Sequence, residues 1–397
     1  MSSSPAVAPS VAPQMTQGLM TLFAFCCGAI VANIYYAQPI IDLIAPDVGL
    51  SAHGASLIVS LTQIGYAIGL LFLVPLADLL ENRRLMLATL ALSTLSLVAI
   101  SFTTSAPALL AMSLLVGFSS VSVQMLIPLA AHLAPEQTRG RVVGSIMGGL
   151  LLGILLARPL SSLIADHFGW RAVFMTAAAV MLVIMTVMAR TMPQRRPDHS
   201  ASYGELLLSL YHLMTRHALL RQRSLYQALM FGAFSLFWTA VPLELSRQHG
   251  LSQSQIAIFA LVGAIGAIAA PLAGRLADAG HTARASLLAM VLAPVAFWVA
   301  MVHPAYSVVG LAITGVLLDF AVQMNMVLGQ RAIYALDANS RGRLNALYMT
   351  SIFIGGAVGS SLASSLYERG GWGAIVICGS ALPLIALACL LFNSRRT

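Results

Sequence analysis

The chain has 397 residues, of which 59% are hydrophobic and only 9% are charged, and its mean hydropathy is +0.87. A soluble globular domain carries about 25% charged residues, so this composition excludes that class and predicts a protein embedded in lipid. The apolar runs are continuous and do not alternate apolar with polar residues, which favours transmembrane helices over a β-barrel. All four cysteines fall inside these runs, so neither a disulfide framework nor a metal site is predicted.

The first 14 residues form an Ala/Pro/Ser tract without a basic residue, which predicts a disordered tail and not a secretory signal. Beyond it, about twelve apolar runs are each long enough to cross a hydrocarbon core of roughly 30 Å. We number these predicted spans 1 to 12 in chain order. They lie near 15–37, 55–77, 84–104, 106–133, 141–165, 171–190, 224–245, 253–277, 284–303, 306–335, 343–366 and 373–393.

The formal net charge of +8 comes from arginine, because the 21 basic residues include no lysine. Almost all loop arginines fall on one side of the predicted membrane, and only Arg171, Arg247 and Arg369 fall on the other. The positive-inside rule therefore predicts that the first side is cytoplasmic and that both termini lie there. The positive charge reflects topology, so no nucleic-acid partner is expected.

The sequence repeats itself after about 200 residues. Asp78 is matched by Asp278 in a similar Ala-Asp context, and LAPEQTRGRVVG at 133–144 is matched by LDANSRGRLNAL at 336–347. Two homologous halves in the same orientation form the parallel-repeat plan of a secondary transporter. We predict one six-helix bundle at 15–190 and a second at 224–393, with a short tail at 394–397.

A long cytoplasmic linker at 191–223 separates the predicted bundles. It contains SYGELLLSLYHLMTRHALLRQR, which mixes leucines with arginines in the manner of a helix lying on the inner membrane surface. A plain linker is the alternative interpretation.

The segment VPLADLLENRR at 74–84 resembles the loop between helices 2 and 3 of the major facilitator superfamily, G-x-L-A-D-R-x-G-R-R. It departs from that pattern at Val74, Leu79 and Glu81. The segments at 32–45, 148–174 and 329–361 are similar to bacterial exporters of the drug:proton antiporter branch, which includes arabinose-efflux-like permeases. Gly153 and Pro159 loosely match the helix-5 antiporter motif, whereas Ser113 stands where many antiporters have arginine.

This resemblance covers essentially the whole chain and implies an all-α integral membrane fold. Twelve transmembrane helices would form two pseudo-symmetric six-helix bundles in the inner membrane of a bacterium. The implied activity is export of a small organic compound or drug in exchange for protons, by alternating access. A proton-coupled importer, a narrow-specificity sugar exporter and a non-transporting receptor are the alternatives.

Several further expectations concern chemistry and partners. No H-E-x-x-H, G-x-S-x-G or clustered His/Asp set is present in the spans, so we do not expect an enzyme. No cofactor or metal is expected, and the predicted partners are a small-molecule substrate, protons and membrane lipid. We expect a monomer.

Two charges inside the predicted spans need a reason, because each costs about 2.5–3.5 kcal/mol at the bilayer centre. Asp319 lies near the middle of span 10 and Arg158 in the outer half of span 5. In the family fold helix 10 lines the central cavity and helix 5 borders the opposite half, so the two side chains could pair. One interpretation makes Asp319 the proton carrier, coupled to Arg158, and the other makes it a static tie within the bundle.

Polar and aromatic residues on the presumed cavity helices form the predicted substrate site, since ligand pockets are mostly apolar with a few placed polar groups. They are Asn33, Tyr35, Tyr36, Gln38, Gln63, Tyr66, Gln124, Phe234, Trp238, Gln323 and Asn325. The competing interpretation is that they anchor the helices at the membrane interface or bind neighbouring helices.

Charged residues of the repeated loops form the predicted cytoplasmic gate, in which carboxylates and arginines latch the inner end closed. They are Asp78, Arg83, Arg84, Asp278, Arg139 and Arg341. The alternative for the arginines is that they only set topology. Glycine pairs such as Gly149 and Gly153 are predicted to let helices approach closely.

Overall fold

The computed structural model describes residues 15–196, 202–266, 269–299, 301, 307–337 and 340–394. Within these ranges the regular structure is helical and contains no β-strand. The twelve predicted spans are all present, either as helices or as consecutive helical segments, so the expected architecture is confirmed.

The first six spans run from Gln17 to Thr191. Span 1 is the helix Gln17–Ala32, and the short helices Gln38–Ile40 and Ile41–Asp47 follow it. The remaining five spans are Ala52–Asp78, Asn82–Phe102, Ala106–Leu133, Arg139–Phe168 and Trp170–Thr191.

The second six spans begin at Ala218. Span 7 is Ala218–Arg247, span 9 is Thr282–Val299 and span 10 is Val308–Tyr334. Span 8 is interrupted, since it consists of Gln253–Ala260, Gly263–Gly266 and Ala269–Asp278. Spans 11 and 12 share the continuous stretch Arg341–Ser394, which is divided at Gly371, whose φ of 57° and ψ of −154° leave the helical region. Glycine adopts such a positive φ without steric cost.

A separate amphipathic helix, Tyr203–Arg216, lies between the two sets of spans and is called the linker helix below. A capping box starts it: the Ser202 hydroxyl accepts from the backbone N–H of Glu205, and the Glu205 carboxylate accepts from that of Ser202. Span 7 begins at Ala218, six residues before the predicted start, because buried residues such as Leu220 and Arg223 continue its packed face.

Glycines set the closest helix contacts in each half. Spans 1 and 5 touch at Gly28 and Gly153, and spans 7 and 11 touch at Gly232 and Gly359. In both places a Cβ atom would collide with the facing backbone, so the helices approach as closely as small residues allow. The same type of contact therefore recurs in the two halves.

We name the two ends of the helical assembly by their charge. The arginine-rich end carries the loops between spans 2 and 3, 4 and 5, 6 and 7, 8 and 9, and 10 and 11. The opposite end carries the alternate loops and includes Asp42, Arg171 and Arg247.

Candidate functional site

Arg158 lies at the centre of the contact between the two sets of six spans. Its side chain is buried, with 4% of the residue surface exposed. Arg158 Nε donates a hydrogen bond of 2.8 Å to Gln38 Oε1, and Gln38 Nε2 in turn donates at 3.1 Å to Thr239 Oγ1 of span 7. Arg158 Nη2 is buried without a hydrogen-bond partner. The guanidinium therefore retains an unused donor inside the protein.

Three aromatic rings surround the Arg158 guanidinium. The Cζ atom lies 4.6 Å from the centroid of a ring of Trp238, 5.1 Å from that of Tyr35 and 5.4 Å from that of Phe234. Aromatic faces attract a cation through the ring quadrupole, and the attraction is about 2 kcal/mol or more where water is excluded. Trp238 and Phe234 belong to span 7, so this cage joins span 5 to the second half.

Asp319 of span 10 lies beyond the indole of Trp238. Trp238 Nε1 donates a hydrogen bond of 2.7 Å to Asp319 Oδ1. Arg158 and Asp319 do not form a direct ion pair, so the expected direct pairing is wrong at the level of contact. The indole connects them, because its face holds the guanidinium and its N–H holds the carboxylate.

The interrupted part of span 8 packs against Asp319. A Cβ atom on Gly263 would lie 2.7 Å from Asp319 Oδ2 and 3.2 Å from Trp238 Cζ2, and one on Gly266 would overlap Asp319 directly. Only residues without a side chain leave room for the carboxylate here. A broken helix beside a buried charge is a recurring feature of transporter binding sites.

A second group of predicted site residues joins the halves nearer the arginine-rich end. Gln63 Nε2 of span 2 donates a hydrogen bond of 2.9 Å to Ser235 Oγ of span 7, and Ser360 Oγ of span 11 donates to Gln63 Oε1 at 3.3 Å. Tyr66 accepts a hydrogen bond of 3.2 Å from Gln124, and its ring centroid lies 4.4 Å from that of Phe353. We call Arg158 and the residues around it, namely Tyr35, Gln38, Phe234 and Trp238, the Arg158 cluster. The Gln63 and Tyr66 group lies along the same interface between the halves as this cluster.

The side chains of two predicted substrate residues contact helices of their own half and not the interface between the halves. Asn33 Nδ2 contacts the sulfur of Met181 at 3.3 Å, and Asn325 Nδ2 donates a hydrogen bond of 2.7 Å to Gln227 Oε1. Both asparagines are buried and bind neighbouring helices, as the competing interpretation supposed.

The two remaining predicted substrate residues, Tyr36 and Gln323, are half-buried. Neither side chain has a hydrogen bond to another described residue, although the backbone carbonyl of Tyr36 accepts one of 2.5 Å from Ser161 Oγ. Their role as substrate ligands stays a prediction.

The predicted gate arginines cap helix ends within their own halves. Arg139 Nε donates to Ala131 O at 2.9 Å, and Arg341 Nε donates to Tyr334 O at 3.2 Å, so each arginine caps the span before it. Arg83 likewise donates to the carbonyl of Ala189 near the end of span 6. A cation at a helix C-terminus complements the negative end of the helix dipole.

The acidic members of the predicted gate are placed differently. Asp78 is exposed at the end of span 2, and its side chain makes no hydrogen bond or ion pair with a described residue. Arg84 pairs with Glu81 at 3.1 Å inside the same loop. The side chain of Asp278 lies outside the described part of the chain. In this conformation the gate residues do not connect the halves through described residues.

A charged bridge at the opposite end, which the sequence did not reveal, joins the halves. Arg247 at the end of span 7 forms ion pairs with Asp42 after span 1 and with Glu368 at the end of span 11. Arg247 lies among the three arginines on the side with few positive charges, and that rarity is the signal that marks it. Nearby, Ser254 donates to the carboxylate of Asp166, which also links the halves.

The same end contains a second ion pair that stays within one half. Asp47 Oδ2 accepts hydrogen bonds from Trp170 Nε1 at 2.8 Å and from Arg171 Nη1 at 2.9 Å. These two donors hold the pKa of the Asp47 carboxyl below its usual value. The pair therefore fixes the loop after span 1 against span 6 without bridging the halves.

We expect Arg247→Gln to shift the protein towards a conformation open at the opposite end. A partly exposed bridge of two ion pairs is worth about 1 kcal/mol, or roughly a fivefold change in the equilibrium. The measurement is the rate at which an impermeant maleimide labels a Ser364→Cys reporter, because buried Ser364 accepts a hydrogen bond of 3.1 Å from the backbone N–H of Ser56 across the halves.

Arg171→Gln is the matched control, since it removes an arginine from the same end but from a pair inside one half. Labelling that rises equally in both variants would show that the Arg247 bridge does not hold this end closed.

The hydrogen bonds between described residues of the two halves lie at the opposite end and in the middle. Besides the bridge, they include Ser60 Oγ to Ala357 O at 2.8 Å and the bonds of Gln63. The halves are thus joined at the opposite end and in the middle, and Arg158 with the rings around it lies within that joined region.

Comparison with known proteins agrees with this architecture. The family model of the Major Facilitator Superfamily matches residues 21–333 and 223–397. The chain belongs to the Major Facilitator Superfamily. It is 39% identical over 378 residues to the uncharacterized transporter YgaY of Escherichia coli O157:H7, covering 94% of this chain and 95% of that one. It is 32% identical to the probable transporter SCO4007 of Streptomyces coelicolor, with 92% and 85% covered.

The fold is also that of a solved structure. A crystal structure of a bacterial homolog to the human lysosomal transporter Spinster, in an inward-facing and unoccupied conformation, superimposes with a TM-score of 0.75. The match covers 96% of this chain and 98% of that one at 15% identity, so it establishes the fold alone. Together the matches confirm that this protein is a multi-pass membrane transporter of the major facilitator type.

Proposed function

We propose that this transporter exports a small organic compound from a bacterial cytoplasm in exchange for protons, and that Asp319 carries the proton. The observation that carries the proposal is the Arg158–Trp238–Asp319 arrangement, in which a buried cation of one half meets a half-buried carboxylate of the other through one indole. An intramembrane ionisable residue is a functional candidate by default because placing it there is costly.

The arrangement supplies a way to couple proton movement to conformation. Arg158 belongs to span 5 of the first half, whereas Trp238 and Asp319 belong to the second half. When the halves separate at the opposite end, Arg158 leaves the indole and Asp319 loses the nearby positive charge. A proton then neutralises the carboxylate in the state open to the outside, and Arg158 displaces that proton when the halves close again.

The substrate competes with the proton for the same region in this scheme. In this proposal the compound binds beside Asp319, where the rings around Arg158 lie, and its binding is incompatible with a proton on the carboxylate. Because the substrate and the proton exclude each other, each half-cycle carries only one of them. Exchange follows from that exclusion.

Flux in proteoliposomes tests the proposal. Candidate compounds are first screened by thermal shift, because a ligand at 100 times its dissociation constant stabilises by about 2.7 kcal/mol. Hits are then loaded into vesicles, and an imposed pH gradient is expected to drive them against their own gradient. A protein that binds the compound but moves none is a receptor, and movement that ignores the pH gradient contradicts proton coupling.

We further propose that the arginine-rich end faces the cytoplasm, with the two bundles divided as the repeat predicts. The present conformation is then inward-facing. The loop carboxylates Asp78 and Asp278 would engage only when that end closes, where a carboxylate can accept hydrogen bonds from the start of a neighbouring helix.

Asp78→Ala and Asp278→Ala are therefore both expected to slow transport about two- to fivefold, because a carboxylate at a helix N-terminus is worth up to about 1 kcal/mol. The measurement is initial transport rate together with labelling of a cysteine at the arginine-rich end. An unchanged transport rate and unchanged labelling in both variants would show that these loop aspartates have no role in gating and only reflect the internal repeat.

A further inference from the structure

Arg223, near the start of span 7, is a buried cation that the transport proposal does not use. Only 9% of its surface is exposed, and its Nη1 atom donates a hydrogen bond of 2.7 Å to Ser286 Oγ of span 9. The phenol groups of Tyr226 and Tyr348 lie close enough to interact electrostatically with its guanidinium. All three of these partners are neutral.

An arginine in such a place normally has an anionic partner. The guanidinium keeps its charge in proteins, and a buried charge is costly unless it is paired. Arg247 shows the usual solution, since two carboxylates neutralise it. Within the described ranges, by contrast, Arg223 forms no ion pair. The positive charge is left without a counter-charge from the described protein.

The groups around Arg223 are held in place by residues of spans 10 and 12. Tyr226 accepts a hydrogen bond of 2.8 Å from Asn393 Nδ2 of span 12, and Tyr348 donates one of 3.3 Å to Met326 O of span 10. The hydroxyl of Tyr348 occupies the space that a side chain at Gly329 would need. The setting of Arg223 is therefore fixed by the fold of the second half.

The local field reinforces the positive charge. Span 9 begins at Thr282, so Ser286 lies about one turn from a helix N-terminus. The helix dipole is positive at that end, which adds to the potential around Arg223 and does not neutralise it. None of the described groups around Arg223 supplies a negative charge, so an added anion would complete the site.

We propose that Arg223, together with Ser286, binds a phosphate group at the arginine-rich end of the second half. Arg223 lies five residues into span 7, which places it roughly 8 Å along the helix axis. It therefore lies close to the arginine-rich end of the helix, and basic pockets between transmembrane helices bind the headgroups of anionic lipids. An anionic phospholipid and the aqueous phase are the two sources of such a phosphate. The inference is independent of the exchange mechanism.

Thermal stability of delipidated protein in detergent tests the site, with Arg223→Met as the variant. Methionine keeps an unbranched stem and a similar helix propensity but removes the charge. Without added anion, R223M is expected to be at least as stable as the wild type, because an uncompensated buried charge is gone. A variant that unfolds or is less stable under these conditions would show that Arg223 is a structural tie, and would overturn the proposal.

Titration with inorganic phosphate and, separately, with phosphatidylglycerol identifies the source. The wild type is expected to gain stability from at least one of them, with R223M binding it at least about tenfold more weakly. A response to phosphatidylglycerol alone assigns the site to lipid, and a response to both assigns it to the phosphate group as such. Arg216→Met is the matched control, since Arg216 is exposed on the linker helix. Equal losses in R216M and R223M, or no response in the wild type, would contradict the site.

Discussion

Asp319→Asn is expected to abolish accumulation driven by a pH gradient while substrate exchange continues. Asparagine keeps an oxygen that can accept the 2.7 Å hydrogen bond from Trp238 Nε1, so the local packing is retained. It cannot take up or release a proton, so the energetic link to the gradient is lost. In the wild type with one proton per substrate, each pH unit is worth about 1.4 kcal/mol, or about tenfold in concentration.

Two measurements on the same proteoliposomes separate coupling from transport. Counterflow of labelled substrate reports movement without net driving force, and accumulation across an imposed pH gradient reports coupling. Glu136→Gln serves as the control, because Glu136 is an exposed carboxylate in a loop at the arginine-rich end. If Asp319→Asn still accumulates substrate in response to pH, Asp319 is a static tie and another group carries the proton.

Gly153→Ala is expected to destabilise the first half strongly, because Gly153 lies where spans 1 and 5 are in direct contact. A Cβ atom there would lie 2.5 Å from the carbonyl carbon of Gly28 on span 1, and backbone atoms cannot move aside as a side-chain end can. Overpacking of this kind costs about 1–3 kcal/mol, and a backbone collision belongs at the upper end of that range. We expect a clear loss of folded protein and a lower Tm in detergent.

Gly148→Ala is the matched control on the same helix, because a Cβ atom at Gly148 meets no other group within 4 Å. It removes a glycine from the helix interior and is expected to leave Tm unchanged or to raise it slightly, since alanine favours helix. A similar loss in both variants would mean that span 5 responds to helix propensity and not to its contact with span 1.

The residues of the central site illustrate how far a sequence can go. Asp319 and Arg158 stand out because charged residues are rare within apolar spans, and the structure places both at the contact between the halves. The indole between them was not predictable, because it depends on how span 7 is rotated about its axis. A periodic pattern shows which faces of a helix are apolar but not which neighbour each face meets.

The same limit explains where the predicted substrate set divides. Tyr35, Gln38 and Trp238 meet around Arg158, whereas Asn33 and Asn325 bind helices of their own halves. Neighbouring residues on span 1 separate in this way because the regular helix ends at Ala32 and a tight turn redirects the side chains that follow. A departure from helical geometry cannot be inferred from hydrophobicity alone.

The sequence by itself determined the membrane class, the twelve spans, the repeat and the asymmetric distribution of arginine. Each of these depends on composition and on spacing along the chain. The thickness of the hydrocarbon core sets how many apolar residues a spanning helix needs, so the length of an apolar run predicts a span directly. Only the tertiary structure decided that Arg247 bridges the halves at the opposite end, that Trp238 stands between Arg158 and Asp319, and that Arg223 has no carboxylate partner among the described residues. These relations join positions far apart in the chain, and they are fixed by the packing, rotation and tilt of helices, which local residue patterns do not specify.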